Sequence, residues 1–202
     1  MRNIIKGSNL TWIDIQNPEK EDIEYLKKDF NFHPLVLDQI IPPSWSTKVE
    51  VFPDHLLLIL FFPSYNKEKR ESRPRELDII VTKDILVTSH YNSFVPLKEV
   101  LHQCNLFKEE QAKWMAQGTG YLLHHLLHAL WEDCSAKVNK IDQKLTRIEE
   151  SMFHGKEREM LKEISIIKAD IINFWKIVRP QKGIFTSLRD ISGEFFGPQL
   201  TP

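Results

Sequence analysis

His124, His125 and His128 stand close together, with Glu132 one helical turn beyond them. If this stretch is helical, His124, His128 and Glu132 fall four residues apart in turn and share a face. Two imidazoles and a carboxylate at that spacing suit a borderline metal such as Zn²⁺. A plainer reading is open at the same positions. His124 extends backwards an apolar stripe that begins at Leu127, so it also reads as a packed, hydrogen-bonded core histidine. Glu132 and Asp133 read either as metal-binding acids or as a solvated face beside Lys137.

Catalytic chemistry finds little support. The chain has no Gly-x-Ser-x-Gly elbow, no phosphate-cradling loop and no glycine-rich dinucleotide turn. Asp14 ends a predicted strand, as many catalytic acids do, but has no base or metal partner nearby in sequence. The chain therefore reads as a non-enzyme. Of the five tryptophans, Trp131 and Trp175 fall at or beside apolar seams and are expected in the core, and Trp45 is expected to be exposed. Cys104 and Cys134 form no Cys-x-x-Cys pair, which argues against a disulfide framework and for a reducing compartment.

The elements that must position these residues can be traced along the 202-residue chain. With 27 basic and 28 acidic residues, it lacks the cationic excess that nucleic-acid binding needs. Its longest apolar run, Leu56 to Phe62, is far short of the roughly 20 residues that span a bilayer, so the chain reads as soluble and cytosolic. Thr11 to Ile15 predicts a strand, and Asn17-Pro18 opens a helix running to about Phe30. A short helix over Leu35 to Ile41 stops at Pro42-Pro43. Lys48 to Phe52 pairs with His55 to Phe62, and Leu77 to Val81 with Ile85 to Ser89, as two antiparallel hairpins. Their continuous apolar runs imply a sheet covered on both faces. The charged stretch Asn66 to Arg75 reads as a loose hairpin tip. Helices are expected over Val95 to Cys104 and near Glu109 to Ala116.

The last part has a different rhythm. Leu127, Trp131, Cys134, Val138, Ile141, Leu145, Ile148 and Met152 alternate spacings of four and three. Met160, Ile164, Ile167, Ile171, Phe174 and Val178 repeat the pattern beyond a break at His154-Gly155-Lys156. Such heptad seams predict two long helices folded back on each other. The fold class is thus α/β: a mixed, largely antiparallel sheet between helix layers, followed by a long antiparallel helical hairpin. Residues 1–118 are assigned to the α/β domain, 119–190 to the hairpin and 191–202 to an irregular tail.

Six segments, in order, carry a resemblance: Thr11-Trp12-Ile13-Asp14; Phe32-His33-Pro34-Leu35-Val36-Leu37-Asp38; Lys48-Val49-Glu50; Tyr121-Leu122-Leu123 with Leu127 to Leu130; Lys140-Ile141-Asp142; and Trp175 to Pro180 before Leu188. Together, over about residues 10 to 190, they resemble the CorA family of magnesium transporters. The resemblance implies a cytoplasmic domain at the inner membrane, a homopentamer around one pore, and membrane segments downstream of this chain. The family's Gly-Met-Asn selectivity motif does not occur here.

The resemblance also implies a sensor for the transported ion, made of acids on facing subunits. The family's acid pair after His-Pro-Leu-Val-Leu reads Asp38-Gln39 here, and a further family acid on the long helix is replaced by His128. Asp38 is the expected metal ligand, with Gln39 and His128 as weaker candidates. Mg²⁺ is the expected ion, and the imidazole of His128 opens Co²⁺, Ni²⁺ or Zn²⁺ as alternatives. The rival reading is a metal-independent scaffold whose hairpin docks partner helices.

Overall fold

A computed structural model describes residues 1–30, 32–44, 46–152 and 157–196. The strands are β1 (Arg2–Lys6), β2 (Thr11–Gln16), β3 (Lys48–Val51), β4 (Leu56–Asn66), β5 (Glu71–Val81) and β6 (Ile85–His90). Helices α1 (Lys20–Phe30) and α2 (Pro34–Leu37) follow β2. After β6 come α3 (Val95–Leu106), α4 (Lys108–Met115), α5 (Thr119–Met152), α6 (Glu157–Val178) and α7 (Gln181–Phe196).

The strands form one sheet in the order β1-β2-β6-β5-β4-β3. Only β2 and β6 pair in parallel; every other neighbouring pair is antiparallel. The unbroken apolar run of β4 exists because both faces are covered. Leu56, Leu58, Leu60 and Phe62 face one core, built with α3 and α5. Leu57 and Ile59 face the other, built with α1 and α2. The mixed sheet between helix layers and the long α5–α6 hairpin agree with the sequence-based expectation.

Four details differ. Arg2–Lys6 is an edge strand that the sequence reading passed over. The stretch 66–75 is not a loose tip: Asn66 pairs with Glu71, and the two strands run on to meet at a short turn. Charges are tolerated there because Asn66 Oδ1 accepts from the Lys69 N–H at 2.8 Å and Arg70 forks onto Glu163 of α6. Helix α2 is shorter than expected and ends at Leu37. Helix α7 takes in 191–196, part of the expected irregular tail, with Ile184, Phe185, Leu188 and Ile191 packed on the α3/α5 core. The expected break at His154-Gly155-Lys156, the exposure of Trp45 and the rest of the tail lie outside the described residues.

The seam of α6 is also rotated from the expected one. Ile167, Asp170 and Ile177 are buried, whereas Ile171 is partly exposed and Trp175 is 60% exposed. The physical reason is that α6 packs along β4 and β5 as well as against α5. Those strand ends present backbone donors, and Asp170 turns inward to accept from one of them.

Candidate functional site

The expected metal residues divide between the two faces of the sheet. Helix α2 is started by His33, whose Nδ1 accepts from the Leu35 N–H at 3.2 Å, and by Pro34 in its first turn. Val36 and Leu37 bury the helix in the α1/α2 core. Asp38 caps its C-terminal end, donating its backbone N–H to Pro34 O at 2.8 Å. Its carboxylate is exposed and makes no ion pair with another described residue. The neighbouring Gln39 is committed inside the chain. Its Nε2 donates to Leu35 O and to Glu50 Oε2, each at 3.0 Å, and Glu50 pairs with Lys48 at 3.4 Å. An acid at position 39 would face the Glu50 carboxylate; the amide turns that repulsion into a hydrogen bond.

His128 lies on α5, which packs on the opposite face of the sheet. It is exposed, as is His124, so the core-histidine reading of His124 does not hold. The two rings have centroids 6.2 Å apart. His125 is half-buried against Trp114 and Tyr121, with centroid distances of 5.2 and 5.3 Å. Burial, aided by the two neighbouring imidazoles and Lys113, lowers the pKa of His125. His124 and His128 border a groove of about 710 Å³ that Trp131, Phe185, Arg189 and Phe196 also line. Among the described residues, no three of His, Cys, Asp and Glu converge on a metal position. Asp38 and Gln39 are therefore not brought to His128 within one chain.

Two polar groupings escaped the sequence reading. Asp14 on β2 accepts from the Thr88 hydroxyl at 2.6 Å and lies 3.2 Å from His90 Nε2, both on β6. Trp12 Nε1 donates to the same hydroxyl at 3.1 Å. These groups are buried and tie the parallel strand pair together. The missing base of Asp14 was invisible because it lies 76 residues along the chain.

The second grouping is Glu76 and Asp78 on β5. The signal was available: Glu76 and Asp78 alternate around Leu77 where the charged half of β5 gives way to its apolar half, so both side chains point to one face. Glu76 accepts from the Ser44 N–H at 2.7 Å. Its pKa is raised by burial, which that hydrogen bond offsets in part. Burial first, then the charge of Glu76, push Asp78 up to about 9, against a smaller opposing effect of Lys48.

A family described as "CorA-like Mg2+ transporter protein" matches residues 7–197. The chain belongs to this CorA-like family. Among curated relatives, a cobalt/magnesium transport protein CorA of Thermotoga maritima is 26% identical over 191 residues, which cover 92% of this chain and 52% of that protein. The putative metal ion transporter YfjQ of Bacillus subtilis is 22% identical, covering 86% of this chain and 52% of its own length. The chain thus spans about half the length of these relatives. Among solved structures, the soluble domain of CorA from Methanocaldococcus jannaschii superposes with a TM-score of 0.73 at 20% identity, covering 90% of this chain and 70% of that one. The ZntB cytoplasmic domain from Vibrio parahaemolyticus gives 0.69 at 15% identity, covering 94% and 72%. These likenesses establish the fold. Among the described residues, no helix is long and apolar enough to cross a membrane.

Proposed function

We propose that this chain is the cytoplasmic, ion-sensing part of a CorA-like divalent cation transporter of the inner membrane, with the pore lying outside it. The observation that carries the reading is the Asp38 carboxylate. It is exposed, makes no ion pair with another described residue, and caps the end of a short helix where the family resemblance expects a sensor acid. Copies arranged as a homopentameric ring would bring such carboxylates near facing surfaces. Like charges then repel until a divalent cation lies between them. A hard ion such as Mg²⁺ keeps most of its water and needs only one or two carboxylates. Because the ion binds the closed ring better than the open one, cytosolic ion concentration biases gating.

A second reading has its own observation. His124 and His128 are exposed neighbours on α5, and imidazole prefers Zn²⁺, Co²⁺ or Ni²⁺ to Mg²⁺. This favours a related zinc or cobalt transporter. Calorimetry separates the two. On the first reading, Asp38→Ala loses Mg²⁺ binding while His128→Ala keeps it. Zn²⁺ binding that depends on His128 and ignores Asp38 would favour the second. Unchanged divalent binding in both variants would remove ion sensing at these residues.

A further inference from the structure

Asp38 does not hold its own position. It caps α2, and a helix of four residues is too short to be stable by itself. The Ile40 N–H bonds back to Leu37 O at 3.1 Å. Beyond it, the described residues make no backbone–backbone hydrogen bond until β3 begins at Lys48. Such a stretch is held by side chains or water. Two side chains of the sheet reach it, one at each end. The Tyr91 hydroxyl, one residue past β6, donates to Ile40 O at 2.9 Å. Glu76 on β5 accepts from the Ser44 N–H at 2.7 Å. The Ile40 side chain is fully buried, so the end nearer Asp38 also has an apolar anchor.

The hold at Ser44 depends on a proton. The side chains of Glu76 and Asp78 hydrogen-bond to each other, which requires that one of the two carboxyl groups be protonated. Burial first, then the Glu76 charge, push Asp78 up to about 9, against the opposing charge of Lys48 on β3. Glu76 and Ser44 border a cavity of about 780 Å³, with Lys176 of α6 and the paired Arg73 and Glu71 of β5. Asp78 is buried and does not border that cavity. When the shared proton leaves, two carboxylates repel in a buried place. Glu76 has the cavity to move into and leaves the Ser44 N–H as it does so. The Tyr91 phenol is raised by burial and then by the charges of Asp78 and Glu76, so it keeps its proton and remains a donor.

We propose that Glu76 and Tyr91 are positioning residues for Asp38. They fasten the segment from Asp38 to Ser44 onto the sheet at two points, and the proton shared by Glu76 and Asp78 keeps the Ser44 point closed. This assignment rests on Asp38 as the ion-binding acid. Binding at Asp38 is then linked to the acid pair: Mg²⁺ affinity falls as the shared proton is lost.

The test pairs calorimetric Mg²⁺ titration of the chain with amide NMR of its metal-free form, at about pH 7 and about pH 9.5. At the lower pH, Tyr91→Phe and Glu76→Ala should each bind Mg²⁺ about tenfold more weakly than the wild type, as when nine molecules in ten leave the binding position. Asp78→Asn supplies a permanent N–H donor to Glu76 and should bind as the wild type does. At the higher pH the wild type should lose about tenfold in affinity and Asp78→Asn should not. Without metal, the amide signals of Asp38, Gln39 and Ser44 should move between the two pH values in the wild type and stay in place in Asp78→Asn. Unchanged affinity in Tyr91→Phe and Glu76→Ala, an equal alkaline loss in Asp78→Asn, or wild-type signals that stay in place would overturn the proposal. Should Glu76→Ala fail to fold, Tyr91→Phe, which removes one oxygen, carries the comparison at the lower pH. Moving signals in a wild type that binds no Mg²⁺ would support the fastening and remove the Asp38 sensor, so the two failures give different results.

Discussion

The Asp170 carboxylate on α6 accepts a 2.6 Å hydrogen bond from the backbone N–H of Ser72 on β5, 98 residues earlier in the chain. Both residues are buried. The contact sets the rotation of α6, so that Ile167 and Ile177 point inward and Trp175 outward. Asp170→Ala removes a charge-assisted acceptor and leaves a buried N–H unsatisfied. It should destabilise the fold by about 2–3 kcal/mol, read as a lower urea midpoint at unchanged slope.

The two tryptophans assigned to the core from sequence should behave differently. Trp131 packs edge-on against Phe62 and Phe185, with centroids at 5.8 and 5.5 Å. Trp131→Ala should cost about 3 kcal/mol. Trp175 faces outward, and Trp175→Ser should stay within about 0.5 kcal/mol of the wild type. Denaturant titrations of both variants check the contrast.

Asp78 gives a pH dependence whose sign is set by its raised pKa. The unfolded chain releases this proton near the ordinary value of 3.8, and the folded chain keeps it up to about 9. Between these values the folded state binds more protons, so stability falls as pH rises through that window. Below it the contribution is level. In EDTA, Asp78→Asn should remove this slope. It should be more stable than the wild type by roughly 3 kcal/mol at the alkaline end, with the gap shrinking towards pH 4. Chemical denaturation across pH measures it.

The fold was legible where local pattern and tertiary environment agree. The run Leu56 to Phe62 announced a strand covered on both faces, and the heptads from Leu127 announced the long hairpin. Pattern was insufficient where a side chain serves two neighbours. Ile171 keeps the heptad period, yet α6 also lies on the sheet, and Asp170 takes the inward position. Charge also misled: the stretch from Asn66 to Arg75 is charged, yet Asn66 and Glu71 to Arg75 are paired across β4 and β5. Of the candidate site, Asp38 could be named only through resemblance, because a single exposed acid has no pattern of its own. The Asp14–His90 contact joins residues far apart in sequence and needed the parallel pairing of β2 and β6 to appear. Glu76 and Asp78 could have been noticed, since alternate acids at the start of an apolar run are costly to bury unless something compensates them.

The central claim is that divalent cations bring copies of this chain together through Asp38. Light scattering in EDTA and in millimolar Mg²⁺ tests it most directly. The expected result is a monomer in EDTA, a ring of copies in Mg²⁺, and a monomer in both for Asp38→Ala. A mass that stays monomeric and indifferent to Mg²⁺ in the wild type would contradict the account and favour the metal-independent scaffold.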